Sequence, residues 1–275
     1  MKAVIQIFLS IICLISYVIG YSQEANKCVI QTSGKVLIIQ DERPQMDVLT
    51  DFLIGNQDNL LIDITDQKNL PEDLGKYNTV LLYIHLRLHE NTENKVIEYT
   101  KNGGRLILLH HSISSGKAKN ENYFPFLGIQ LDGTNNSRDP ELPGAGYVWI
   151  EGITLTLINL NPGHCVCNYN VEWGEKINYM PSDIAASESE YPTISLPDSE
   201  VYLNHKFTDG KDRTILMGLK FYDNRNDQLF MQDRAAWYKT AGEGDIFYFM
   251  PGHSSLDFQN VNYSQMILNA INYRK

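Results

Sequence analysis

Apolar residues in this chain fall in short dense blocks separated by amphipathic stretches. Residues 35–40 (KVLIIQ) form a compact β-rich run of the kind buried on both faces of a parallel sheet, and they predict the first strand. Pro44 opens a predicted helix over residues 45–54, with Met46, Leu49, Phe52 and Leu53 on one side, and residues 59–64 (NLLIDI) predict a second strand. That spacing is a β-α-β unit. The alternation continues with TVLLYI at 79–84 and a helix from about residue 93 to 101. A break at Asn102-Gly103-Gly104, consistent with a helix C-cap, precedes RLILL at 105–109. Four apolar strands with helices between them predict an α/β fold on a doubly wound, mostly parallel sheet.

From 112 to 147 the pattern dissolves into Gly, Asn, Ser and Pro, which predicts a long loop, functional or mobile. β-like runs return at 154–158, 200–203, 214–219 and 245–249, so β-rich insertions are expected in the second half. A closing helix over 262–272 carries Met266, Ile267, Ala270 and Ile271 on its buried side.

The N-terminus reads differently. Lys2, the apolar run 3–19 and Gly20-Tyr21-Ser22 predict a signal peptide over residues 1–22, cleaved before Gln23. Gln6, Ser10 and Ser16 interrupt the run, and it falls short of a bilayer span of about 20 apolar residues. A periplasmic or secreted protein is expected, with no stable membrane insertion after cleavage. Residues 23–34 are then a leader and 35–275 a single domain, long enough for a core of its own. Loss of Lys2 from the 23 basic residues leaves 22 against 33 acidic ones, a net charge of −11. Such a surface repels phosphate backbones, so nucleic acid is not an expected partner. Cys28, Cys165 and Cys167 remain after cleavage, and three thiols in an oxidising compartment predict one disulfide and one free thiol. Their pairing stays open, as does an oligomeric state.

Two segments carry a family resemblance. Residues 99–112, YTKNGGRLILLHHS, resemble the helix, Gly-Gly, strand and Leu-His block of ThuA-like (trehalose-utilisation) proteins, and residues 241–273, AGEGDIFYFMPGHSSLDFQNVNYSQMILNAINY, are similar to that family's C-terminal block. Tyr123, Phe126-Leu127-Gly128 and Ala236-Trp237 agree with it, whereas the middle of the chain, 132–212, matches poorly. The resemblance implies a flavodoxin-like sheet related to class I glutamine amidotransferases and a role in carbohydrate use. Those amidotransferases place a nucleophilic Cys at the turn after the strand that here ends in Leu109. This chain has His110-His111 there, so no thioester chemistry is expected. The chain also departs from the family pattern: Asp41-Glu42-Arg43 stands where a His is common, His111 where Ala is common, and Asp245 where Arg is common.

In an open parallel sheet the ligand crevice lies beyond the carboxyl ends of the strands. Asp41 and Glu42 follow the first predicted strand, His85 the third, His110 and His111 the fourth, and His253 the run ending at Phe249. Four of the seven histidines therefore sit at predicted strand ends. His110 and His253 with Asp41 or Glu42 are the candidate acid-base residues, because imidazole needs little adjustment to exchange protons near neutrality. His85 and His111 are candidate ligand contacts, and Tyr123 and Trp237 are candidate stacking faces for a sugar ring, although aromatics of this kind are more often core. The same convergence of imidazole and carboxylate suits a divalent metal such as Zn²⁺, but no compact motif of the His-Glu-x-x-His type is present. Ser112, Ser114 and Ser115 lack a Gly-x-Ser-x-Gly elbow and read as a helix cap. The leading expectation is an exported carbohydrate-processing enzyme acting on a glycoside or an oxidised (keto) sugar by His/carboxylate chemistry. A non-catalytic sugar-binding or accessory domain is the alternative, and a structural or interaction protein the third reading.

Overall fold

A computed structural model describes residues 34–131, 147–182, 184–210 and 212–274. The predicted signal peptide, the leader with Cys28, and the centre of the predicted loop lie outside the described residues.

Five strands build the parallel half. They are β1 (Gly34–Gln40), β2 (Leu60–Thr65), β3 (Thr79–Tyr83), β4 (Arg105–Leu109) and, from the far end of the chain, β12 (Gly244–Phe249). Their spatial order is β2-β1-β3-β4-β12, every neighbouring pair parallel. β3 and β12 have no exposed position, as expected for strands covered on both faces, whereas the edge strand β2 buries only Leu60. Helix α1 (Arg43–Asn56) turns Met46, Leu49 and Leu53 inward and packs against the C-terminal helices α5 (Ser255–Gln259) and α6 (Val261–Asn272). Helix α2 (Glu90–Lys101) instead covers β4 and β12.

The sheet does not stop at β12. It continues antiparallel through β11 (Gln228–Ala241), β10 (Thr214–Asp223), β6 (Val148–Asn159), β8 (Ser189–Leu203) and β7 (Lys176–Tyr179), giving ten strands in all. The expectation of a mostly parallel sheet is thus corrected to a mixed one. The second half supplies full-length strands of 10 to 15 residues: β6, β8 and β10, where the sequence showed only four- to six-residue runs, and β11, where it showed none. One-faced burial leaves alternate residues polar, and this hid their length. The predicted loop from 112 is also partly structured. It holds 3₁₀ turns at His110–Ile113 and Ser115–Lys119, helix α3 (Tyr123–Leu127) and strand β5 (Ile129–Leu131), which pairs with β9 (His205–Phe207) in a separate ribbon. Among the described residues no helix is long and apolar enough to cross a membrane.

The predicted disulfide is not formed at Cys165 or Cys167: both are free thiols, flanking Val166 in helix α4 (Cys165–Asn168). Cys167 points into the core, its Sγ 3.8 Å from the Leu216 carbonyl.

At the amino end of the parallel strands, Arg105 and Asp245 pair across β4 and β12 in a two-pronged contact, Nε to Oδ1 at 2.8 Å and Nη2 to Oδ2 at 3.0 Å. Arg105 Nη1 also donates to the carbonyls of Ile271 and Tyr273, so one guanidinium closes the sheet and caps the last helix. Both side chains are nearly buried. Arg105→Ala strands the Asp245 carboxylate and is expected to cost about 3 kcal/mol of unfolding free energy. A urea midpoint unchanged from the wild type would show that the pair holds nothing together.

Candidate functional site

Four imidazoles form a continuous row at the carboxyl ends of the parallel strands. His85 stacks on His111 with ring centroids 4.7 Å apart, His111 lies 4.3 Å from His110, and His110 lies 5.7 Å from His253. Local structure puts them there. Leu109 ends β4, and His110 then takes a left-handed backbone (φ 47°), a conformation a side chain with a Cβ rarely adopts. Such strain persists where surrounding contacts enforce it. Here Tyr248 Oη donates to the His110 carbonyl at 3.2 Å, and Gly252 packs so closely that a Cβ there would meet Phe258 at 2.9 Å and the His110 Cβ at 3.1 Å.

The turn after β12 is fixed by phenols. Tyr83 Oη donates to the Gly252 carbonyl and Tyr263 Oη to that of Pro251, each at 2.7 Å. Asp257 completes the hold, its Oδ2 accepting the backbone N–H groups of Gly252 at 2.8 Å and His253 at 3.0 Å. Lys117 performs the equivalent task between strand ends. Its buried Nζ donates to the carbonyls of Ile84 (2.5 Å), His85 (2.8 Å) and His111 (2.6 Å), and burial pushes this ammonium down to about 7.

Two carboxylates organise the row into two triads. Glu42 spans His111 and His85, with Oε2 3.2 Å from His111 Nε2 and Oε1 3.2 Å from His85 Nδ1. The hydrogen bond from His111, reinforced by that from His85, holds Glu42 at about 2 although partial burial opposes the charge. Burial pushes the His111 imidazole down to about 3, with His110 adding to the effect. His111 is therefore neutral at ordinary pH. Nε2 is its donor to Glu42, and its buried Nδ1 has no protein partner.

The second carboxylate is Glu200, which sequence reasoning missed. Its Oε2 lies 2.9 Å from His110 Nε2 and 2.9 Å from His253 Nδ1, and it accepts the Tyr202 hydroxyl at 3.2 Å. Burial works against this charge, but the bonds from His110 and His253 outweigh it and hold Glu200 well below the usual carboxylate range. The same contact raises His253 above its ordinary value. His110 Nδ1 faces the Met250 carbonyl at 2.7 Å, and since a carbonyl only accepts, that nitrogen carries a hydrogen. Each triad brings three metal-ligating atoms within 4.8 Å of one another.

Of the predicted site residues, His85, His110, His111, His253 and Glu42 come together. Asp41 stands beside them in a different role from the one expected. Its two oxygens accept the backbone N–H groups of His85 (2.7 Å) and Leu86 (2.9 Å), so it shapes the turn that presents His85. Tyr123 and Trp237 are corrections. Both are fully buried, Tyr123 in α3 and Trp237 on β11 between Tyr248 and Phe207, and neither offers a ring face to a ligand. Ser112 is also spoken for, donating to the Leu82 carbonyl at 2.5 Å. A cavity of about 880 Å³ opens instead over β6, β8 and β10, lined by Thr154, Thr156, Ser195, Lys220 and Arg225, and contains none of the histidines. That cavity has carboxylates in Glu151, Glu175 and Asp223 but no imidazole beside them, whereas the strand-end site brings imidazole and carboxylate together.

The family model for trehalose utilisation (ThuA) matches residues 29–274. The chain belongs to the ThuA family. A putative ThuA-like protein from Bacteroides uniformis has the same fold, with TM-score 0.55 and 19% identity over 86% of this chain and 89% of that one. A β-galactosidase from Bacillus circulans sp. alkalophilus (TM-score 0.47, 11% identity) and the carbohydrate deacetylase Agd3 (0.48, 9%) align with 86% and 85% of this ThuA chain. Those alignments take in 31% and 32% of the two larger proteins. No curated protein matches by sequence.

Two outcomes follow from the supports of this site. Lys117→Met leaves three strand-end carbonyls without their donor and is expected to lower unfolding free energy by about 2 kcal/mol, read from chemical denaturation. Glu42 is held at about 2 when folded against 4.5 for the free side chain. Its contribution to stability is therefore complete above about pH 4.5 and is lost as pH falls toward 2. Solvent screening at this partly exposed group reduces its size. Glu42→Gln should flatten the pH dependence of the thermal midpoint in that window, and identical acid limbs for both proteins would contradict the assignment.

Proposed function

We propose that this ThuA-family chain is an exported, periplasmic or secreted protein of carbohydrate metabolism that processes a glycoside or an oxidised (keto) sugar by histidine and carboxylate chemistry, without glutamine amidotransferase activity. The observation that carries the proposal is the pairing of Glu42 with His85 at the open end of the histidine row. The carboxylate takes the Nδ1 side of the ring, which leaves Nε2 of an exposed imidazole as the basic nitrogen. This is the arrangement by which a buried or half-buried carboxylate fixes the tautomer and direction of a catalytic histidine. His85 Nε2 removes a proton from a sugar hydroxyl or from water.

A small carbohydrate is the proposed partner, because hydroxyl groups match a crevice of imidazoles and carboxylates while anionic polymers do not. Against amidotransferase chemistry stands the imidazole at position 110, where the resemblance to those enzymes calls for a thiol. Cys167 offers no substitute, since burial pushes its thiol up, away from the thiolate form. The parallel half, with strand order β2-β1-β3-β4-β12, supports reading the fold as flavodoxin-like with an antiparallel extension.

The test is turnover of a panel of glycosides and keto sugars by the mature protein. His85→Ala is expected to lower kcat by about 10²- to 10⁴-fold with little change in KM or in thermal midpoint. Saturable sugar binding with no turnover by the wild type would favour the binding-module reading instead.

A further inference from the structure

Glu200 Oε2 is overcommitted. His110 Nε2, His253 Nδ1 and Tyr202 Oη all converge on this one oxygen, at 2.9, 2.9 and 3.2 Å, and Tyr202 Oη lies 3.3 Å from His110 Nε2 as well. A carboxylate oxygen has two lone pairs to share. His110 is essentially without exposure, so three polar groups crowd the two lone pairs of one oxygen in a buried place. Burial of that kind is costly unless something else reconciles the groups.

We infer that the His110, Glu200 and His253 triad is a divalent metal site, with Zn²⁺ the best-matched ion. A cation turns the conflict into a fit, because both imidazoles then face it with lone pairs. The three donor atoms lie within 4.8 Å of one another. A tetrahedral ion with bonds of about 2.0–2.1 Å spaces its ligands roughly 3.3 Å apart, so modest side-chain movement closes the triad around it. The surroundings are those of a ligating histidine. His110 is anchored through Nδ1–H to the Met250 carbonyl, the bond that fixes tautomer and ring direction when Nε2 binds a metal. Backbone bonds to Asp257 fix His253 in turn. The left-handed backbone of His110 directs its ring to Glu200 rather than along the strand.

The ligands are two imidazoles and one carboxylate, drawn from three separate segments of the chain, and they leave a fourth position open on the side of the half-exposed His253 ring. Two-His, one-Glu sets with an open position belong to ions that polarise a substrate oxygen, whereas thiolate-rich sets are structural. The neighbouring Glu42, His85 and His111 group has comparable spacing, but His111 Nδ1 has no outer partner and His85 is exposed. Its buried histidine lacks the second-nitrogen bond that His110 has to the Met250 carbonyl. This inference rests on the proposed function for its purpose, namely polarising the oxygen of a glycoside or keto sugar opposite His85.

The experiment is metal analysis of the mature protein, followed by titration of the chelator-treated protein with Zn²⁺ and with Co²⁺, whose visible absorption reports tetrahedral nitrogen and oxygen ligation. One equivalent is expected to bind. His253→Ala, at a half-exposed ring whose loss leaves the core intact, and Glu200→Gln are each expected to weaken binding by about 100-fold or more. His85→Ala should leave it unchanged. Circular dichroism of each variant separates lost ligation from lost fold, and His253→Ala carries the test if Glu200→Gln does not fold. The inference is overturned if the wild type takes up neither ion at about 100-fold molar excess, or if binding survives both ligand substitutions. Loss in His85→Ala with retention in His253→Ala overturns it too, by moving the ion to the other triad. Metal-free turnover of a sugar would remove the metal and leave the proposed function standing; a bound metal with no turnover would do the reverse.

Discussion

The Glu200 carboxylate joins the two halves of this protein. It comes from β8, in the antiparallel extension, yet it is bonded to His110 and His253 at the carboxyl ends of β4 and β12 in the parallel half. A buried charge of this sort stabilises the fold only when each partner is in place, and removal of one partner leaves the others exposed to the full cost of burial. The surrounding structure is arranged around that constraint. Ser199, one residue earlier, bonds Asp257, which in turn holds the backbone of the His253 turn. Tyr202, two residues later and on the same face of the strand, reaches back to Glu200 and His110.

This dependence explains why the parallel half was legible in the sequence and the rest was not. Strands buried on both faces are apolar through their middles, so β1, β3 and β4 appear as unbroken apolar runs that agree with the structure to within a residue or two. Residues that follow such runs fall at the strand ends by necessity. That is how His85, His110, His111, His253 and Glu42 could be singled out before any geometry was known. In β11, QLFMQDRAAWYKTA, buried and half-buried positions are interspersed with polar ones over 14 residues, and no run marks the strand. Of the two roles open to Trp237, stacking face or core, it has the second, as a buried residue of that strand.

Glu200 was missed for a related reason. It opens the short run EVYL, where an acidic residue reads as the polar boundary of a strand. Its partners are 90 residues away on one side and 53 on the other, and no local spacing announces them. The available signal was a pair: Glu200 and Tyr202 at the two-residue spacing that puts both on one face, with Val201 and Leu203 on the other. Asp41 shows the opposite error. Its position after β1 was read correctly, but position alone does not separate a carboxylate that meets substrate from one that accepts two backbone N–H groups.

The histidine after β4 shows what a strained backbone can be used for. A sharp, left-handed residue at the end of a buried strand holds its side chain rigidly at the crevice, and His110 has that backbone. Its ring, however, is engaged at both nitrogens, with Met250 on one side and Glu200 on the other. It can neither attack a substrate nor accept a proton from one without first breaking a buried bond. The strained position thus serves orientation, and the exposed rings lie at the two ends of the row, on His85 and His253. A site built in this way works from its rim: the centre sets direction and charge, and the outer imidazoles meet the ligand.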